Sequence, residues 1–177
     1  MGDVLINATV LTKDGTVRDI NHDYFNFTYR DSKLKTTEEI VVSVRFRLSP
    51  ANPGVLAKER AEILIKRTEK HPNLTTHPCA GSFFRNIEAT SKAEKRQAAG
   101  FFLEQAGGKD LSVGGACIFD KHANIIVKAQ NCKAQDVHDL HQAMINIVKN
   151  KFGFELQREV RFVGKFNGKS PAASLIW

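Results

Sequence analysis

The chain has 177 residues, and its hydrophobic content of 42% is enough to bury one ordinary core or two small ones. No apolar stretch approaches the roughly 20 residues of a membrane-spanning helix, and no basic segment followed by an apolar one begins the chain, so we expect a cytoplasmic protein with no membrane partner. The formal net charge of +7 favours an anionic partner, which could be a nucleic acid, a membrane surface or a phosphorylated small molecule.

The first third of the chain predicts a hairpin, a strand and a helix. Apolar residues alternate from Val4 to Val10, a turn follows at Lys13-Asp14-Gly15, and Val17 to Ile20 returns as the partner strand. Residues 40–48 alternate again, which predicts a strand with one buried face. Asn52-Pro53 then predicts a helix start, and the helix should end by His71-Pro72.

A second unit is predicted after a proline- and threonine-rich break at residues 73–79. It contains a short helix at 98–106, two strands at 116–119 and 125–129, a long helix that ends before Gly153, and a last strand through Leu156, Val160 and Phe162. The order of elements predicts an α+β fold. We place a first domain at 1–72, a second at 73–164 and a tail at 165–177.

Several segments carry chemistry-bearing residues, although each also has a structural interpretation. Ser82 follows Gly81 and precedes Phe83-Phe84, and Arg85 and Asn86 follow, so the segment could be a ligand loop or simply a loop entering a strand. Arg30 could bind a carboxylate or pair with its neighbour Asp31. Glu159 stands between Arg158 and Arg161, where an exposed ion pair is the ordinary expectation.

Metal, disulfide and nucleotide-loop chemistry are not indicated. Three cysteines without close pairing predict reduced thiols, and no compact set of histidine and cysteine ligands predicts a metal. The glycine-rich fingerprints of nucleotide loops are lacking. Basic residues are scattered, with no run of five, so we expect no nucleic acid to bind; a basic binding module for nucleic acid or another polyanion stays the alternative hypothesis.

Four segments together resemble the UDP-N-acetylenolpyruvoylglucosamine reductase family, in order and in spacing. They are Tyr29-Arg30-Asp31-Ser32, Ala80-Gly81-Ser82-Phe83-Phe84-Arg85-Asn86, Lys121-His122-Ala123-Asn124 and Glu159-Val160-Arg161. Shorter matches join them, such as Gly114-Gly115-Ala116, so the resemblance extends to about Gly164. The spacing between Arg30 and Ser82 resembles that of the shorter subtype. Ile87 and Asp120 depart from the family pattern, which leaves the geometry of two loops open.

The resemblance implies an oxidoreductase of peptidoglycan synthesis that uses FAD and NADPH to reduce UDP-N-acetylglucosamine enolpyruvate to UDP-N-acetylmuramate. It implies that Ser82 is the general acid and that Arg30 and Glu159 hold the carboxyl end of the substrate and stabilise the enolic charge. Arg85 and Asn86 would bind the diphosphate or the sugar, and Tyr29 would pack against the substrate. It implies that 1–72 is the remnant of a β-rich flavin-binding domain with a linking helix, and that 73–164 is a substrate-binding domain of mixed sheet with helices. Nothing in the chain resembles the family's amino-terminal flavin-binding lobe, so we expect this part to bind the UDP-sugar but not FAD, and to be inactive alone.

Overall fold

A computed structural model describes residues 2–89 and 95–167 of the chain. The elements in chain order are β1 (Leu5–Leu11), β2 (Val17–Asn21), β3 (Ile40–Phe46), α1 (Pro53–Lys70), β4 (Cys79–Ser82), α2 (Ala99–Gln105), β5 (Ser112–Val113), β6 (Ala116–Phe119), β7 (His122–Lys128) and α3 (Ala134–Phe152). The chain divides into two compact units, one up to Glu59 and one from Arg60 onward.

The first unit is a small antiparallel sheet in the order β2-β1-β3. The predicted hairpin is confirmed, since Val10 pairs with Arg18 across it. Its core consists of Ala8, Val10, Ile20 and Phe25. The strand predicted at 40–48 also exists as β3, but all seven of its residues are exposed, so the expectation of one buried face is wrong. It forms an edge of the sheet and lies beside β1 alone among the described strands.

Helix α1 begins where the sequence predicts. The Oδ1 atom of Asn52 accepts hydrogen bonds from the backbone N–H groups of Gly54 at 2.9 Å and Val55 at 3.3 Å, which caps the first turn. The helix ends at Lys70, immediately before His71-Pro72. None of its residues is buried, although its apolar positions recur at helical spacing.

The second unit is a four-stranded sheet in the order β4-β7-β6-β5, with α2 and α3 packed on one face. Its described strands all pair antiparallel, so the expectation of a mixed sheet is wrong. The helix predicted to end before Gly153 is confirmed as α3, and Gly153 closes it with a φ of 79° in the left-handed region. The predicted strands at 116–119 and 125–129 also exist, but the second begins at His122, earlier than predicted. Ala116, Ile118 and Ile126 contact the helices through Leu103, Leu140, Met144 and Val148.

Two adjacent glycines are required where β5 turns into β6. Gly114 has a φ of 53°, and a Cβ atom there would lie 2.5 Å from the Asp136 carboxyl carbon. A Cβ atom on Gly115 would lie 2.5 Å from the backbone of Cys132. The Asp136 carboxylate occupies the space beside Gly114. Its Oδ2 atom accepts hydrogen bonds from Gly115 N at 3.0 Å and Lys133 N at 2.9 Å, and these bonds connect the start of α3 to this turn.

The strand predicted through Leu156, Val160 and Phe162 is not a regular strand. The chain there is irregular and forms one isolated bridge, between Arg158 and Phe84. Phe83 O accepts from two successive amides, Glu159 N at 2.9 Å and Val160 N at 3.4 Å, so the even spacing of a ladder is lost. Leu156 and Phe162 are nevertheless buried in the core, as their apolar character predicts.

A buried histidine sits in the same core. His141 is 1% exposed, and its ring centroid lies 4.9 Å from that of Phe162 and 5.7 Å from that of Phe83. Burial lowers the pKa of His141 to about 4, and the positive charge of Arg158 acts in the same direction. The folded protein therefore holds this ring neutral at pH 7.

The pH dependence of stability should reveal this ring. The folded pKa lies below the unfolded value of about 6.5, so the stabilisation is present above pH 6.5 and is lost as pH falls toward 4. The loss should amount to about 3 kcal/mol of unfolding free energy, measured by urea unfolding at a series of pH values. His141→Gln should remove most of this pH-dependent component, whereas His22→Gln, at an exposed site in the first unit, should keep it. Equal pH profiles for the wild type and His141→Gln would contradict the assignment.

Candidate functional site

The carboxyl end of β4 carries Ser82 at the mouth of a cavity. The β4–β7 ladder is irregular between Cys79 and Ser82, and Gly81 adopts a φ of 77° that favours glycine. Ser82 is exposed, whereas Phe83 and Phe84 that follow are both buried in the core. The apolar anchors hold the segment while the hydroxyl group faces away from the core.

The cavity has a volume of about 310 Å³. Its lining combines a hydroxyl, a cation, an anion and two amides with the apolar edge of α2: Ser82, Asn86, Ala98, Gly100, Phe101, Glu104, Lys121, His122, Ala123 and Asn124. These residues come from β4, the segment between β4 and α2, α2 itself, the β6–β7 turn and the start of β7. A cavity of this size with a few convergent polar groups has the character of a small-molecule site.

Glu159 lies beside the Ser82 segment although it is far away in sequence. Its backbone N–H donates to the carbonyl of Phe83 at 2.9 Å, one residue from Ser82. On the same stretch, Arg85 N donates to the carbonyl of Gln157 at 2.8 Å. The backbones of Ser82 and Glu159, two of the residues that the resemblance implicates, thus lie on neighbouring segments of the second unit, although Glu159 is not part of the cavity lining.

Tyr29 and Arg30 lie in the first unit, at the tip of a tight turn. The turn is closed by reciprocal backbone hydrogen bonds between Thr28 and Asp31 at 3.1 and 3.2 Å. Arg30 has a φ of 57°, and its guanidinium carbon lies 6.0 Å from the ring centroid of Tyr29. The position of this turn relative to Ser82 and Glu159 stays a prediction.

Asn86 and Arg85 have distinct settings. Asn86 lines the cavity, and its Oδ1 atom accepts from the backbone N–H of Ala99 at 3.2 Å, so it also supports the start of α2. Arg85 is half-buried, outside the cavity lining, and its Nε atom is buried without a hydrogen-bond partner among the described residues. A buried guanidinium nitrogen of this kind is costly unless a ligand or solvent satisfies it.

His122 is a residue of the cavity to which sequence reasoning gave no role. It is half-buried, its Nδ1 atom accepts from the backbone N–H of Asn124 at 3.2 Å, and its ring centroid lies 5.6 Å from that of His71. Burial lowers the pKa of His122, and the electrostatic effect of the neighbouring His71 lowers it further. Both effects favour the neutral ring, and because Nδ1 accepts a hydrogen bond, the neutral ring carries its proton on Nε2.

Lys121, Asn124 and Glu104 were also missed as site residues. All three lie in segments that carry the family resemblance, but no chemistry was attached to them. An asparagine at the start of the apolar run Ile125-Ile126-Val127 was the available signal, because a polar residue in a buried strand needs a specific partner. Among residues 2–89 and 95–167, no group of three or more potential metal ligands is placed to hold an ion.

Comparisons with known proteins identify the family of the chain. The family model for the C-terminal domain of UDP-N-acetylenolpyruvoylglucosamine reductase matches residues 71–163, which is more than half of the chain. The chain belongs to the UDP-N-acetylenolpyruvoylglucosamine reductase family. The resemblance to this family is thereby confirmed, and the matched residues include Ser82 and Glu159.

Named relatives show the same relationship. The UDP-N-acetylenolpyruvoylglucosamine reductase of Agathobacter rectalis is 36% identical over 164 residues, which cover 93% of this chain and 49% of that protein. That of Streptococcus pneumoniae is 32% identical, covering 92% of this chain and 51% of that protein. The chain thus spans about half the length of the curated relatives it matches.

A solved structure supports the fold. The reductase of Thermus caldophilus superposes with a TM-score of 0.70 at 28% identity, over 89% of this chain and 52% of that one. The α+β fold class predicted from the sequence is confirmed. No helix in the described part of the chain is both long enough and apolar enough to span a membrane.

Proposed function

We propose that this chain carries the substrate-binding part of an NADPH-dependent reductase that converts UDP-N-acetylglucosamine enolpyruvate to UDP-N-acetylmuramate in cytoplasmic peptidoglycan synthesis. The observation that carries the proposal is the cavity lined by Ser82, with the backbone of Glu159 bonded to the neighbouring Phe83. The family membership supplies the substrate class, and the polar lining suits a sugar nucleotide. The chain alone is proposed to bind the UDP-sugar without completing the reaction.

Within this proposal Ser82 is the general acid that protonates the carbon next to the one that receives hydride. Its exposed hydroxyl on a segment fixed by Phe83 and Phe84 supports that role. Arg30 and Glu159 hold the substrate carboxyl group and stabilise the enolic charge as it develops. Tyr29 packs against the substrate, and Asn86 and Arg85 bind its sugar or diphosphate. The place of Asn86 in the cavity lining supports its assignment.

Hydride delivery is proposed for FAD, reduced by NADPH, in the complete enzyme, and none of the described residues is assigned to it. The described residues that line two cavities do not fit FAD by themselves. The lining of the 310 Å³ cavity contains one glycine, Gly100, and that of a second cavity of about 440 Å³ beside α1 also contains one, Gly81. Neither lining offers a glycine-rich run of backbone N–H groups for the flavin diphosphate.

The purified chain should therefore be colourless and remain so after FAD is added and the sample is desalted. A flavin site that lacks one wall loses contacts worth several kcal/mol, and each 1.4 kcal/mol or so is about tenfold in affinity. The absorbance near 450 nm after desalting, together with a thermal melt that shows a cooperative transition, checks this. A folded, yellow sample with stoichiometric flavin would refute it.

Substrate binding by the chain separates the proposal from the polyanion hypothesis. In calorimetric titrations UDP-N-acetylglucosamine enolpyruvate should bind, and raising the salt from 50 to 200 mM should weaken it less than about tenfold. A nucleic-acid binder with 6–10 phosphate contacts would lose roughly 10³-fold or more over that range. A single-stranded oligonucleotide is the comparison ligand. Tight, strongly salt-dependent oligonucleotide binding without UDP-sugar binding would favour the alternative.

Ser82→Ala tests the role of Ser82 as general acid. The test uses a complete enzyme, in which this chain is joined to the other half of the reductase sequence that its relatives contain. Flavin reduction by NADPH should stay within about twofold, while turnover should fall by about 10²-fold or more, because only the second half-reaction needs the proton. Stopped-flow absorbance separates the two halves. Ser43→Ala, on the exposed strand β3, is the control and should leave both unchanged. Equal losses in both halves for Ser82→Ala would exclude the role.

A further inference from the structure

Asn124 is a buried polar residue inside an apolar strand. It is 2% exposed, and its neighbours on β7 from Ala123 to Val127 are also buried. A carboxamide in such a place destabilises the fold unless its oxygen and its amino group both find partners. The identity of those partners shows what the residue does.

Both ends of the carboxamide bond to the same residue of another segment. Oδ1 accepts from the backbone N–H of Phe84 at 2.9 Å, and Nδ2 donates to the backbone carbonyl of Phe84 at 2.9 Å. The backbone carbonyl of Asn124 accepts in addition from Phe83 N at 2.8 Å. One residue of β7 therefore satisfies three backbone groups of the two residues that follow Ser82.

Regular strand pairing does not hold this segment. The pairing of β4 with β7 shifts between Cys79 and Ser82, where Gly81 takes its positive φ, and β4 ends at Ser82. Beyond Ser82 the side chain of Asn124 takes the place of a strand's backbone, because it offers a donor and an acceptor side by side.

We propose that Asn124 is a positioning residue for Ser82: its carboxamide fixes the Phe84 peptide groups and thereby sets the direction of the Ser82 hydroxyl at the cavity. The inference rests on the proposed function of Ser82. Asparagine is required because one planar group must accept and donate at once. Alanine would leave two buried backbone groups of Phe84 unsatisfied, and an ionised carboxylate would face the Phe84 carbonyl without a proton to donate.

The variant Asn124→Asp tests the proposal because its side chain can donate a hydrogen bond only when it is protonated. A protonated carboxyl group has the shape of the carboxamide and can donate and accept in the same places, whereas the ionised form cannot donate. Burial and the carbonyl partner raise the pKa of the introduced carboxyl above its ordinary value of about 4. Asn124→Asp should therefore behave like the wild type at low pH and lose the interaction as pH rises.

Affinity for UDP-N-acetylglucosamine enolpyruvate is measured by calorimetry on the whole chain from pH 5 to 8.5. At the lowest pH Asn124→Asp should bind within about threefold of the wild type, and above the pKa of the introduced carboxyl about tenfold more weakly or worse. The other titratable groups of the cavity, His122, Lys121 and Glu104, are present in the wild type as well, so the wild-type pH profile is the reference for their contributions. Asn146→Asp, an identical change at an exposed position of α3, should show no pH-dependent ratio.

A second measurement needs no ligand. In ¹H–¹⁵N spectra of Asn124→Asp the backbone amides of Ser82 and Phe84 should move with pH along one titration curve, while that of Val148 in α3 stays still. Unmoved Ser82 resonances in the folded variant, or a pH-independent affinity ratio, would overturn the proposal. Failure of the wild type to bind any UDP-sugar would instead overturn the proposed function, and the spectra would still decide the role of Asn124.

Discussion

The backbone N–H and carbonyl groups from Ser82 to Arg85 need hydrogen-bond partners although strand β4 ends at Ser82. Much of the second unit is arranged to supply these partners. A buried backbone N–H or carbonyl without a partner costs about 1–3 kcal/mol. On one side the partners come from Asn124, through both its backbone and its side chain. On the other side they come from the backbone of Gln157 to Val160. The irregular path of that second segment follows from this demand, since it must reach Phe83 and Arg85 at uneven intervals.

The same segment joins the site to the hydrophobic core. Phe83 and Phe84 are both nearly fully buried, and Phe83 packs against His141 of α3 and Phe162 of the last described segment. The guanidinium carbon of Arg158 lies 4.8 Å from the centroid of the Phe162 ring, and burial lowers the pKa of this arginine. Because interiors are close-packed, a change of volume at either phenylalanine would shift Ser82 as well as weaken the core. Stability and the geometry of the candidate site are therefore coupled through two adjacent side chains.

The sequence predicted those features that depend on local patterns. The Asn52 cap, the Gly153 end of α3 and the β1–β2 hairpin all follow from residues close together in the chain, so their signals are complete within a short window. The strand through Leu156 to Phe162 failed because alternation reports which residues are apolar, whereas ladder pairing depends on a partner at Phe84, far away in sequence. The exposure of β3 was not predicted for a related reason. Alternation of apolar and polar residues indicates a strand, but it does not show which element packs against that strand.

The site shows the same division. The resemblance singled out Ser82 and Glu159, and the fold brings their backbones within one residue of each other. It could not assign His122, because the relevant property of that ring is its neutral state, which arises from burial and from His71, 51 residues earlier in the chain. Asn124 was visible as part of a motif, but its pairing with Phe84 is a three-dimensional fact.

The charge of the cavity bears on what it can recognise. Although the whole chain carries +7, the lining contains one lysine, Lys121, and one glutamate, Glu104, while His122 is neutral. The net charge of the lining is therefore close to zero, and long-range attraction contributes little to the binding of an anion there. Directional groups dominate instead: the Ser82 hydroxyl, the Asn86 carboxamide and the Nε2–H group that the bond from Asn124 N to His122 Nδ1 leaves as a donor. Such donors recognise the oxygen atoms of a sugar or a base through hydrogen bonds of fixed geometry. The positive charge of the whole protein therefore does not indicate which ligand binds at this site.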